Sequence, residues 1–131
     1  MEKQFVTYEI ALKLKEFGFD EKCFAIYDAY QDNRLVYLCE DGRNPSGTIK
    51  TNASMDFSCL APLWQQCVDW FRRTHNLHIA IKTDYCCTFY YTIYNVNKQR
   101  VIHSLCQYKT YEEARVQAIL KTLKLIKYKY E

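Results

Sequence analysis

A chain of 131 residues has room for one domain with a real core, and its 49% hydrophobic and 25% charged residues are those of a globular protein, which excludes disorder and fibrous repeats. Eighteen Lys and Arg against fifteen Asp and Glu leave a net charge of +3, far short of the single-sign field of a dedicated nucleic-acid binder. The opening Met1-Glu2-Lys3-Gln4-Phe5 lacks the apolar run of a secretion signal, and no stretch reaches the roughly 18 apolar residues of a membrane span, so the expectation is a cytoplasmic protein with no membrane partner.

In chain order, Thr7 is placed to cap a first helix over about residues 8 to 17, with Ile10, Ala11, Leu14 and Phe17 on one stripe and Gly18 stopping it. Residues 23 to 30 and 34 to 39 are rich in β-formers and meet at Asp32-Asn33, two residues that tolerate the left-handed backbone of a tight hairpin. From Glu40 to Ser58 the composition turns to Gly, Pro, Asn, Ser and Asp, which reads as a long loop with room for one short strand at Thr48 to Asn52. Pro62 suits the first position of a second helix running to about Thr74, and Asn76 suits its left-handed stop. Three strands follow, Leu77 to Lys82, Cys87 to Asn95 and Arg100 to Gln107, the last two joined by a bend at Asn97-Lys98. The final helix opens at Thr110-Tyr111-Glu112-Glu113, a capping box with Thr110 as cap and Glu113 at the third helical position.

These elements predict an α+β fold of two layers in one domain spanning residues 1–131. Its expected form is a predominantly antiparallel sheet of five or six strands with three helices on one face. Twelve tyrosines, the main source of a 16% aromatic content, suit the half-buried faces of such a sheet.

Alternation around the Asn97-Lys98 bend sets Phe89 opposite Cys106, Tyr91 opposite Ser104 and Thr92 opposite His103. One side then carries Cys87, Phe89, Tyr91, Ile93, Ile102, Ser104 and Cys106 and belongs in the core. The other presents Thr88, Tyr90, Thr92 and Tyr94 beside Val101, His103 and Leu105. That aromatic and hydroxyl stripe is the candidate binding surface, with Tyr90, Tyr94, His103, Thr92 and Arg100 as its residues and Lys82 and Lys109 nearby. A covered, purely structural face is the first reading of such a stripe; if it is exposed, a homodimer interface is preferred to nucleic-acid stacking, because tyrosine is enriched in protein interfaces and a flat, half-apolar sheet face is a common dimer surface.

The order helix, three strands, helix over residues 62 to 127 is also that of double-stranded-RNA-binding domains, which grip phosphates at the start of their last helix. Here Glu112 and Glu113 stand where cations belong, and the local charge opposes such binding. The seven cysteines, Cys23, Cys39, Cys59, Cys67, Cys86, Cys87 and Cys106, are odd in number and do not bracket short loops, so they read as reduced thiols of the core. Cys86-Cys87 and His103-x-x-Cys106 do not make a zinc site, because adjacent strand residues point to opposite faces. With three glycines and no phosphate-loop lysine, no cofactor or metal is expected. A cysteine nucleophile beside His75, His78 or His103 is the third reading, after a non-enzymatic binding protein and a nucleic-acid module.

Ala61-Pro62-Leu63-Trp64-Gln65-Gln66 with Asp69-Trp70-Phe71-Arg72, the opening Phe5-Val6-Thr7-Tyr8-Glu9 with Leu12 to Asp20, and Thr110-Tyr111-Glu112-Glu113-Ala114 resemble small proteins encoded by phages and prophages of Bacteroides-like bacteria. The resemblance covers most of the chain and implies that origin. It carries no activity and no functional residues with it.

Overall fold

The computed structural model describes residues 2–37, 58–84 and 86–130. The expected strand at Thr48 to Asn52, Cys39 and the loop from Glu40 to Asp56 and Phe57 lie outside the described residues. The chain divides into two compact units, Met1–Cys67 and Val68–Glu131. The α+β class holds, with three α-helices among the described residues. The described strands, however, form two three-stranded antiparallel sheets where one sheet of five or six strands was expected.

The first unit opens on a turn of 3-10 helix and then α1, Tyr8–Glu16. The Thr7 hydroxyl accepts from the Ile10 N–H at 3.4 Å, satisfying one of the donors that a helix start leaves free. Ile10, Ala11 and Leu14 are buried along one stripe, and Gly18 follows the helix with φ +90, a conformation open to a residue without Cβ. Strand β1, Ala25–Asp28, pairs with β2, Arg34–Tyr37, with Asp28 opposite Arg34. Asp32 and Asn33 both have positive φ, as the sequence reading of the turn requires. β1 is shorter than its apolar run because the Asp28 carboxylate accepts from the Tyr30 N–H at 2.9 Å and caps a 3-10 turn instead. On its other edge β1 pairs with β3, Cys59–Leu60, giving the order β2-β1-β3. Val6, Phe19, Cys23, Ala25, Leu60 and Ala61 fill this unit's core.

Helix α2, Trp64–His75, starts two residues after Pro62, with Leu63 O accepting from Cys67 N. Its second half belongs to the second unit, where Trp70, Phe71 and His75 are buried and the Trp70 and His75 rings meet edge-on at 4.9 Å. Asn76, φ 55, turns the chain into β4, Leu77–Thr83. β5, Phe89–Asn95, is central, between β4 and the shorter β6, Arg100–His103. α3, Tyr111–Tyr130, packs on β4 and β5. It buries Ala114, Ala118, Ile119, Thr122, Leu123 and Ile126, a stripe at helical spacing. Thr122 sits in that stripe because its hydroxyl donates to the Ala118 carbonyl at 2.8 Å, so no polar atom is stranded.

Candidate functional site

Strand pairing in the second unit decides which side chains share a face. Thr92 lies opposite His103, Ile93 opposite Ile102, Tyr94 opposite Val101 and Asn95 opposite Arg100, the register read from the Asn97-Lys98 bend. The turn itself uses other chemistry. Gln99 takes the left-handed conformation, φ 52, and the Asn95 side chain accepts from the Lys98 N–H at 3.2 Å. Ile93, fully buried, and Tyr91, nearly so, lie on the side that α3 covers.

The opposite side is open and runs in three cross-strand rows. His78, Tyr94 and Val101 form the first, Ala80, Thr92 and His103 the second, and Lys82 with Tyr90 the third. His78, Ala80, Lys82 and His103 are exposed, as are Tyr94 at 39% and Val101 at 50%, while Tyr90 lies half-buried. The His78 and Tyr94 rings meet edge to face at 6.4 Å, in reach of a quadrupolar contact. Leu105, just beyond β6, is fully exposed. Lys82 is the single formal charge among these residues, and none is a carboxylate.

Two of the five expected site residues are placed differently. Thr92 is on the open side by register but buried, at 7% exposure, since Tyr90 and Tyr94 stand two residues away along the strand and Ala80 and His103 stand across from it. It supports the surface and does not present itself to a ligand. Arg100 is exposed, but pairing with Asn95 puts it in register with Ile93 and Ile102, on the other side of the sheet from Tyr94 and His103. Tyr90, Tyr94 and His103 do share the open face, and His78 joins them. Its signal in the sequence was alternation along β4 as well as β5.

The pairing of Phe89 with Cys106 is corrected. The Ser104 N–H still donates to the Tyr91 carbonyl at 3.0 Å, but Phe89 bridges to Tyr108, exchanging both backbone hydrogen bonds at 2.8 and 2.7 Å. Between those two contacts β5 has one residue, Tyr90, and the facing strand has three, Leu105, Cys106 and Gln107. The two surplus residues bulge outward and end β6 at His103. Tyr90, His103, Ser104, Leu105, Cys106 and Gln107 consequently line an open groove of about 540 Å³. The neighbouring Cys106 thiol and burial push the Tyr108 phenol up to about 12. The Tyr91 and Tyr108 rings stack at 6.3 Å, and burial raises the Tyr91 phenol as well.

The six described cysteines divide by unit, which corrects their reading as a uniform core set. Cys23, Cys59 and Cys67 are buried in the first unit, and burial pushes the thiols of Cys23 and Cys59 up to about 12 and about 11 and that of Cys67 further in the same direction. Cys86, Cys87 and Cys106 are exposed in the second. Cys86 and Cys87 leave the sheet because the Asp84 carboxylate accepts from the Cys86 N–H at 2.9 Å, the Thr88 N–H at 3.1 Å and the Thr88 hydroxyl at 2.7 Å. These bonds fold the β4–β5 connection into a tight loop in which Cys87 has φ +60. The Thr88 hydroxyl holds the Asp84 carboxyl below its ordinary value.

A second hollow of about 200 Å³, lined by His75, Leu77, Asn95, Lys98, Leu125 and Ile126, falls below the roughly 300 Å³ at which ligand pockets begin. Among the described residues no three His, Cys, Asp or Glu side chains come together in a way that could hold a metal ion, and no helix is long and apolar enough to cross a membrane.

No protein-family model, curated protein or solved structure matches the chain.

Proposed function

We propose that this is a non-enzymatic binding protein that pairs with a second copy of itself through the open face of the β4-β5-β6 sheet. The observation that carries the reading is the make-up of that face: Tyr94, Val101 and Leu105 stand out as apolar surface, and Lys82 is the one formal charge among the described residues of its three rows. Apolar and aromatic surface left in water is the ordinary driving force for protein pairing. Two copies apposed by a twofold axis bring the same patch together, so a face nearly free of charge pays little self-repulsion.

The nucleic-acid reading is second. It has Tyr90 and Tyr94 as stacking rings, but only Lys82 beside them, and Arg100 belongs to the other side of the sheet. The double-stranded-RNA reading is weaker still, since Glu112 and Glu113 are exposed in the first turn of α3. Phage or prophage origin and a place in the bacterial cytoplasm belong to the same proposal and rest on the sequence resemblance and composition alone.

Sedimentation velocity over a concentration series tests the reading. The expected result is a monomer–dimer equilibrium that Tyr94→Glu and Val101→Glu each abolish, both sites being exposed in the single chain. A chain that stays monomeric at all concentrations, or a dimer indifferent to both changes, overturns it. Binding of a single-stranded oligonucleotide that weakens steeply with salt points to the second reading instead.

A further inference from the structure

We propose that the hollow beside the β5–β6 turn binds a small carboxylate whose body is a single ring or a short apolar chain. The site is separate from the pairing reading. Leu77 and Asn95 stand opposite each other in the strand pairing, one residue before His78 and one after Tyr94, so they belong to the side that α3 covers and not to the open one. Leu77, Leu125 and Ile126 supply the apolar part of the lining, and His75, Asn95, Asn97 and Lys98 the polar part. Too small for a nucleotide or a cofactor, a hollow of about 200 Å³ is larger than the ~150 Å³ void that takes up a benzene-sized ring.

Charge at this end of the unit has one sign. Lys98 lines the hollow and no carboxylate does. Arg100, set across from Asn95 by the strand pairing, is exposed on the same side of the sheet, and Lys121, Lys124 and Lys127 are exposed on the stretch of α3 that carries Leu125 and Ile126. Of the carboxylates described in this unit, Asp69 pairs with Arg72 at 3.5 Å, and Asp84, Glu112 and Glu113 lie toward the opposite end, where Phe89 pairs with Thr83 and its ring meets that of Tyr111. The net charge of +3 conceals this pole because it sums over the whole chain.

The turn also supplies donors. The Asn95 carboxamide oxygen accepts from the Lys98 N–H at 3.2 Å, which fixes the turn and leaves the amide nitrogen of Asn95 to donate. The Lys98 ammonium and the Asn97 amide are further donors on the same lining, and a carboxylate accepts about four such bonds. His75 is buried with its ring edge-on to Trp70 at 4.9 Å, so that side of the lining is preformed. An apolar hollow with a few convergent donors and a cation at its edge is the usual make-up of a small-molecule site.

Benzoate serves as the probe, followed by amide chemical shifts of the isotope-labelled full chain, with benzamide as its uncharged isostere and acetate as the head without a body. Benzoate is expected to shift the amides of Leu77, Asn95, Asn97, Leu125 and Ile126 with a dissociation constant of about 1 mM or below. Benzamide and acetate each bind about tenfold more weakly, one lacking the charge and the other the apolar body. Lys98→Gln, at an exposed position, weakens benzoate about fivefold and leaves benzamide unchanged. Leu125→Phe, at a half-buried position, fills the hollow and weakens both. No shift at these residues with benzoate about twentyfold above that constant, acetate binding as well as benzoate, or benzoate binding indifferent to Lys98→Gln each overturn the proposal.

Discussion

Leu105 separates folding from pairing, because in the single chain its side chain is fully exposed and contributes no buried area to the core. Leu105→Ala removes apolar carbon worth about 2 kcal/mol on full burial, at ~0.8 kcal/mol per methylene. In a twofold pair the loss occurs once per copy, so the ceiling is about 4 kcal/mol, or about a thousandfold in the dimer dissociation constant. The same change leaves monomer stability within about 0.5 kcal/mol, as for other surface substitutions. Sedimentation velocity gives the first quantity, and urea unfolding at a concentration where the chain is monomeric gives the second. A dissociation constant that moves less than about threefold, far under the ~1.4 kcal/mol of a tenfold change, refutes the claim that this face is the interface. A loss of monomer stability comparable to the loss of pairing refutes the claim that Leu105 is idle in the fold.

Three further outcomes follow from the hydrogen bonds and thiols. Thr110→Ala removes the hydroxyl that accepts from the Glu113 N–H at 3.1 Å and lowers stability by about 1 kcal/mol, read as a lower urea midpoint at unchanged slope. The folded-state thiols of Cys23 and Cys59, raised from 9.0 to about 12 and about 11, stay protonated where the unfolded thiols ionise. Stability is therefore level below pH 9 and falls above it by up to about 1.4 kcal/mol per pH unit for each thiol, and Cys23→Ala makes the fall shallower in alkaline unfolding curves. Asp84, held below its ordinary 3.8, contributes stability above that value and loses it as the pH drops through the lowered one. Asp84→Asn flattens this acid limb and leaves Cys86 and Cys87 labelling faster as their loop loosens.

Much of the second unit was legible because its cues are local. Thr110 and Glu113 mark a helix start by their own hydrogen-bonding chemistry, and the alternation of Tyr90, Thr92 and Tyr94 against Val101 and His103 sets a register that one misplaced residue would invert. The surface inferred from it holds Tyr90, Tyr94 and His103. The groove at Cys106 was not legible, since nothing in Ser104-Leu105-Cys106-Gln107 distinguishes a continuing strand from a bulge. That choice is made by the Phe89–Tyr108 pairing and the stack of Tyr108 on Tyr91, which link positions 17 or more residues apart.

The sequence by itself determined the three helices and the order of β1, β2, β4, β5 and β6 among them, though not β3 at Cys59–Leu60, along with the α+β class, the caps at Thr7 and Thr110, the left-handed turn at Asp32-Asn33 and the pairing of Thr92 with His103. All of these depend on contacts between near neighbours in the chain or on a period of two. Only the tertiary structure decided that the described strands form two sheets of three, that Thr92 sinks out of reach, and that of the six described cysteines three are buried and three are at the surface. Burial is a property of what packs overhead. A thiol small enough for a core and tolerable in water carries no pattern of its own that says which it will meet.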